Sequence, residues 1–256
     1  MPGTADALFR AVRPLFPLSG RGIWPRMGRT MKVKLLAARQ GGSDAPRELD
    51  VRDLGRLPYR TALAIQEQLV EERRAARIAD TLLLVEHDPV YTLGRNADAA
   101  NVLAAPAALA AAGVEVVRTS RGGDVTYHGP GQVVGYPILD LRRLGESVVG
   151  YVGRIEEVLI RLVAAFGIAA QRDPANRGVW VGQEKIAALG VRVTRGITMH
   201  GFALNVTTDL AAYRGIVPCG IRGRGVTSMR RLAPEVTLEA VKPELVRQFR
   251  SVMGYD

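Results

Sequence analysis

A chain of 256 residues, 47% hydrophobic and 23% charged, is long enough to bury one substantial apolar core, which excludes a wholly disordered protein and requires no second core. Its formal charge of +10 gives the surface a positive field that draws anionic partners without saying which. One cysteine excludes an intrachain disulfide, three histidines leave no zinc-ligand spacing, and no apolar run approaches a membrane span, so a cytoplasmic, reducing setting is expected.

The first 35 residues read as a basic, flexible extension, because Arg10, Arg13, Arg21, Arg26 and Arg29 face a single acid and Pro2, Pro14, Pro17 and Pro25 interrupt any periodicity. Residues 36–256 read as one catalytic domain. Tyr59 to Arg77 places Ala62, Ile65 and Leu69 on one helical face and closes on Glu71, Glu72, Arg73 and Arg74, which predicts a surface helix over a sheet. Leu82 to Glu86 predicts a buried strand that His87-Asp88-Pro89 ends in a turn. Pro106 starts an Ala-rich helix, Gly113 stops it, and a strand follows over Val114 to Arg118.

The clearest helix spans Ser147 to Gly167, with Val152, Ile155, Leu159, Leu162, Val163 and Phe166 on one stripe and Arg154, Glu156, Glu157 and Arg161 opposite. From Gly178 the period changes to two. Val179 to Val181, Lys185 to Thr194 and Ile197 to Val206 predict successive strands joined by turns at Gly182 and Arg195-Gly196. Pro243 is expected to break the last segment, leaving a terminal helix from Glu244 to Val252. Strands and helices mix without regular βαβ alternation, so the expected class is α+β, with a mixed, largely antiparallel sheet and flanking helices.

Three places carry chemistry. In the run Arg121, Gly122, Gly123, Asp124, Val125, Thr126, Tyr127, His128, glycines let a ligand approach the main chain beside hydrogen-bonding side chains; the spacing is not that of a phosphate loop, and a plain glycine-rich hairpin is the structural alternative. Cys219 sits between Pro218 and Gly220 and ahead of Arg222 and Arg224, a setting that favours a thiolate nucleophile over an inert buried thiol. Lys185 opens Lys185-Ile186-Ala187-Ala188-Leu189-Gly190 and is either a solvated charge at a strand edge or the partner of an anion in a cleft. His87, His128 and His200 read first as structural histidines. Gly190 and Gly220 are candidate backbone donors to an oxyanion.

Together with Glu86-His87-Asp88-Pro89-Val90-Tyr91-Thr92-Leu93-Gly94 and His200-Gly201-Phe202-Ala203-Leu204-Asn205, these segments occur in an order that resembles the lipoyl(octanoyl) transferase family over roughly Leu54 to Met253. The resemblance implies a fold similar to the catalytic domains of biotin and lipoate protein ligases. It implies that Cys219 takes an octanoyl group as a thioester and that Lys185 lowers the pKa of that thiol and serves as acid and base. Arg121 to His128, Ala188 to Gly190 and Gly201 to Ala203 would line the acyl pocket. It further implies no cofactor, octanoyl-acyl carrier protein as donor, the lipoyl domains of 2-oxoacid dehydrogenases and the glycine cleavage H protein as acceptors, and a monomer. Two other readings stand beside it. An ATP-dependent ligase would share the fold, and a basic nucleic-acid-binding protein would share the charge but lacks stacking aromatics at 5% Phe, Trp and Tyr.

Overall fold

The structure is a computed structural model that describes residues 47–255. The basic extension and the first residues of the expected catalytic domain lie outside the described residues. In chain order the elements are β1 (Leu49–Leu57), α1 (Tyr59–Arg74), β2 (Asp80–His87), β3 (Val90–Leu93), α2 (Pro106–Ala111), β4 (Glu115–Arg118), β5 (Val125–His128), β6 (Gln132–Ile138), α3 (Leu141–Leu144) and α4 (Val148–Ala164). They continue with β7 (Gln171–Arg172), β8 (Val179–Val181), β9 (Glu184–Thr194), β10 (Ile197–Asn205), β11 (Gly225–Val226), α5 (Met229–Leu232) and α6 (Leu238–Met253). The class is α+β, as expected. The main sheet runs β1-β2-β6-β10-β9-β8-β7 with β11 beside β9, and β4-β3-β5 form a second, three-stranded sheet. Pairing is antiparallel except at β1 with β2, β3 with β4 and β9 with β11.

The central strands β6 and β10 are buried along their whole length, so their side chains serve two cores on alternate faces. Leu82, Leu84, Val133, Phe202 and Leu204 pack with Ile155, Leu159 and Leu162 of α4 and Leu245 and Phe249 of α6. Leu83, Val85, Val134, Tyr136 and Met199 turn the other way, toward Ala62 and Leu69 of α1. A third cluster, with Tyr91, Leu93, Val125, Tyr127, Tyr213 and Ile216, backs the small sheet. Among the described residues no helix is long and apolar enough to cross a membrane.

Several local expectations are corrected. Residues before Tyr59, where the sequence predicts no element, form β1, an edge strand parallel to β2 whose half-exposed residues hide the alternation. The glycine-rich block is not a simple hairpin: β5 lies in the small sheet and β6 in the main one, so the turn at Gly129–Gly131 passes the chain between sheets. Pro243 does not break the last helix. It lies in the second turn of α6, where one backbone hydrogen bond is lost, and the helix holds because Val241, Leu245, Phe249 and Met253 bury against the core. Glu156, expected on the solvated face of α4, is 1% exposed. Arg73 is likewise buried, where its Nε donates to Asp80 Oδ1 at 2.7 Å and Asp80 also accepts from the Asp140 amide and the Tyr255 hydroxyl.

Candidate active site

Lys185 is held at the start of β9 by strands on both sides. Its backbone pairs with Trp180 of β8 and Val226 of β11, and the Thr227 amide donates to its carbonyl at 3.0 Å. Between Val179 and Trp180 the β8–β9 register shifts, a bulge that re-aims the side chains next to it. The ammonium points inward with the residue only 6% exposed. It lies 4.8 Å from the Trp180 ring centroid, donates to the Arg177 carbonyl at 3.0 Å and donates to Cys219 Sγ at 3.2 Å. The thirty-four-residue gap between the two is closed by the sheet.

Cys219 sits in a tight, kinked turn over Pro218–Gly220, with φ +57° and ψ 16°. A left-handed conformation is uncommon for a residue with a Cβ and costs about 1–3 kcal/mol, a strain that marks functional turns. The turn is anchored from below. Asn101 accepts the Val217 amide at its carbonyl and donates its side chain to Asp124 at 2.6 Å, while Asp124 also accepts the Val125 amide at 2.6 Å. A Cβ on Gly220 would lie 2.5 Å from Asp124 Oδ2, so glycine lets the turn sit against that carboxylate. The Gly220 amide donates to the Val217 carbonyl at 3.0 Å, which removes it as an oxyanion donor.

Behind the thiol is a cavity of about 220 Å³. Its wall includes Arg121, Gly123, Asp124, Thr126 and His128 from the glycine-rich block, Ala188, Leu189 and Gly190 from β9, and Gly201, Phe202 and Ala203 from β10. Of the residues singled out in the sequence, Gly122, Val125 and Tyr127 are outside the wall. Val125 and Tyr127 alternate with Thr126 and His128 along β5 and so face the small-sheet core, and the Gly122 amide donates to the Val191 carbonyl at 3.0 Å. Tyr59, Val134, Tyr136, Ala175, Asn176, Arg177 and Ile221 also line the cavity. Tyr59 is legible only as the start of a helix, and the 175–177 loop carries no sequence signal.

The deep polar groups form one directional network. Arg121 is 7% exposed and among the described residues meets no carboxylate; it donates to the Thr92 hydroxyl and carbonyl and to the Gly122 carbonyl. Loss of solvent lowers its pKa, opposed by the nearby Tyr59 and Cys219. With its oxygen accepting from Arg121, Thr92 gives its hydroxyl proton to His128 Nε2 at 3.3 Å, so the imidazole Nδ1–H donates to Gln132 Oε1 at 2.8 Å. Gln132 in turn donates to Asn205 Oδ1 at 2.9 Å. Burial, with His87 and Arg121 nearby, pushes the His128 pKa well below the ordinary histidine value. His87 is pushed down to about 4 by burial, donating Nδ1–H to the Leu57 carbonyl and accepting from the Tyr136 hydroxyl. His200, pushed to about 3 by burial and then by Arg121 and Arg192, pairs with the Ser120 hydroxyl at 3.1 Å. All three rings are neutral, polar props rather than cations.

Arg222 and Arg224 part company. Arg222 is exposed, while Arg224 stacks on Trp180 with its guanidinium carbon 3.6 Å from the ring centroid and pairs with Asp173, tying the loop before β8 to the loop that carries Cys219.

A thiol and a buried ammonium in contact at the edge of a cavity with both apolar and polar walls, on this sheet, fit an acyl-transfer enzyme. The chain matches the family described as lipoyl protein ligase A/B catalytic domain over residues 58–250. It is 52% identical over 223 residues to an octanoyltransferase of Acidobacterium capsulatum, covering 81% of this chain and 91% of that protein. It is 49% identical over 210 residues to an octanoyltransferase of Alkaliphilus metalliredigens, covering 81% and 96%. Among solved structures it is similar to lipoate-protein ligase A bound with ATP, with a TM-score of 0.64 at 17% identity, covering 78% of this chain and 83% of that one. A bipartite lipoate protein ligase from Thermoplasma acidophilum gives a TM-score of 0.64 at 16% identity, covering 80% and 84%. The chain belongs to the lipoyl protein ligase A/B catalytic domain family.

Proposed function

We propose that the chain transfers an octanoyl group from octanoyl-acyl carrier protein to a lysine of lipoyl domains, those of 2-oxoacid dehydrogenases and of the glycine cleavage H protein, through a thioester on Cys219. The observation that carries this reading is the 3.2 Å contact between Lys185 Nζ and Cys219 Sγ at the edge of the cavity. Half-identical relatives named octanoyltransferase over four-fifths of the chain support it.

The Cys219 thiolate attacks the carbonyl carbon of the donor thioester. The carbon–sulfur bond to the carrier breaks, and the carrier thiolate takes a proton from the Lys185 ammonium, leaving octanoyl on Cys219 and Lys185 neutral. Lys185 then takes a proton from the incoming lysine ammonium. The freed amine attacks the new thioester, the amide forms, its extra proton passes to solvent and Cys219 leaves as the thiolate. Thioester exchange is nearly balanced and amide formation from a thioester is downhill, so the sequence needs no ATP. The cavity wall formed by Arg121, Gly123, Thr126, His128, Ala188 to Gly190 and Gly201 to Ala203 holds the chain, each methylene buried there contributing about 0.8 kcal/mol.

The test is intact-mass analysis after incubation with octanoyl-acyl carrier protein and no ATP. One octanoyl group that hydroxylamine removes is expected on the wild type, none attached as a thioester on Cys219→Ser, and loading slowed by about a hundredfold or more in a folded Lys185→Ala variant. An unmodified wild-type protein, or product formed only with ATP and free octanoate, overturns the reading.

A further inference from the structure

The Lys185 ammonium is held by two acceptors, Cys219 Sγ and the Arg177 carbonyl, and the second acceptor has a support of its own. The Arg177 carbonyl and the Gly178 amide belong to one peptide group. On its other side that peptide donates the Gly178 N–H to Glu156 Oε1 at 3.1 Å. Glu156 comes from α4, is 1% exposed, and has its other carboxylate oxygen unpaired at hydrogen-bond distance, with Arg172 and Arg177 nitrogens each at 3.6 Å. A line of donors and acceptors therefore runs from a buried carboxylate through one peptide to the ammonium and on to the thiol.

We infer that Glu156 is a positioning residue for the Lys185–Cys219 pair, fixing and polarising the Arg177–Gly178 peptide whose carbonyl holds the ammonium. The inference rests on the proposed use of that pair. A carboxylate that binds an N–H strengthens the hydrogen bond accepted by the carbonyl of the same peptide, because hydrogen bonds in series polarise one another. Burying a carboxylate is costly unless its bonds return something, and here the bond it makes is to the peptide that touches the catalytic pair. Gly178 fits the same purpose. Its φ is +129°, and a Cβ there would lie 2.7 Å from the Ala187 carbonyl oxygen and 3.1 Å from Lys185 Cε, so only glycine lets this peptide lie against the lysine.

Two conservative variants separate reach from charge. Glu156→Gln keeps an oxygen able to accept the Gly178 N–H and discards the charge; Glu156→Asp keeps the charge and falls short of the amide. Cys219 is the chain's single cysteine, so iodoacetamide alkylation of the whole protein reports on it alone. The ratio of alkylation rates at pH 7 and pH 10 measures how well the thiolate is supported, independently of access. For Asp, with circular dichroism unchanged, that ratio is expected to fall at least fivefold and octanoyl loading about tenfold, since small misplacements of catalytic groups cost one to two decades. Gln is expected to lose no more than about threefold in either measure. Wild-type ratios in both folded variants overturn the inference, as do equal losses in both, or a larger loss in Gln than in Asp. If the wild type accepts no octanoyl, the alkylation ratios still decide on Glu156, so the two readings fail separately.

Discussion

Lowering the pH through the histidine range tests how the deep polar network is built. His87 is fully buried, donates to the Leu57 carbonyl, accepts from Tyr136 and has its pKa pushed down to about 4 by burial. The unfolded chain, with an ordinary histidine, binds a proton as the pH falls through about 6.5, while the folded protein does not until about 4. Stability from the neutral ring is therefore fully present above about pH 6.5 and lost between 6.5 and 4, at about 1.4 kcal/mol per pH unit. At about pH 5 the loss is roughly 2 kcal/mol for His87. His200, at about 3, loses stability in the same direction, and His128 follows with a pKa well below the ordinary value. All three shifts have the same sign, so acid weakens the network as a whole. Carboxylates lose stability over part of the same range, so the histidine share is isolated by difference. Urea denaturation of wild type and His87→Gln at pH 8, 7, 6 and 5 is expected to give a stability gap that is constant above pH 7 and shifts in favour of the variant by about 2 kcal/mol by pH 5. A gap that does not change with pH, or a His87 imidazole resonance titrating near pH 6.5 in the folded protein, refutes the reasoning.

Two further outcomes are expected. In Gly201→Ala the new Cβ would stand 2.1 Å from the Gly135 carbonyl oxygen and 2.7 Å from Pro137 Cδ, atoms of a neighbouring strand that cannot step aside, so a loss of about 1–3 kcal/mol is expected. Thermal melts should show it at about 2–4 °C per kcal/mol, and an unchanged Tm contradicts the close strand approach. Arg222 is exposed on the loop that carries Cys219, so Arg222→Glu should lower kcat/KM for the acyl carrier protein at low ionic strength, roughly three- to tenfold, with the difference vanishing as salt screens it. A difference that survives high salt argues that Arg222 acts by contact and not by steering.

The elements read most easily were those whose signal is local. The α4 stripe, the Pro106 start and Gly113 stop of α2, and the three strands joined at Gly182 and Arg195-Gly196 all follow from period and turn chemistry, which neighbouring residues set between them. β3, β5 and β6 were harder. They are short and buried on both faces, so alternation vanishes and only the motif residues stand out. The α6 boundary failed for a related reason: Pro243 breaks an isolated helix, whereas the cost is absorbed when the helix packs on a core the local sequence does not display.

For the site, composition and pattern by themselves determined that there is one thiol and that it stands in a Pro-Cys-Gly sequence, and the resemblance to the lipoyl(octanoyl) transferase family joined to it the glycine-rich block and the lysine. Only the tertiary structure decided how these relate. β9 and β11 bring Lys185 to Cys219, alternation along β5 sends Thr126 and His128 into the cavity and Val125 and Tyr127 away from it, and α4 lays Glu156 beneath the peptide that holds the lysine. On a helical wheel Glu156 falls beside Val152 and Val163, about 100° from Glu157, so the period puts it at the edge of the apolar stripe but does not name its partner. Its burial depends on which strands pack over that part of α4, and such long-range packing is decided by the sum of the whole core, not by any residue's neighbours in the chain.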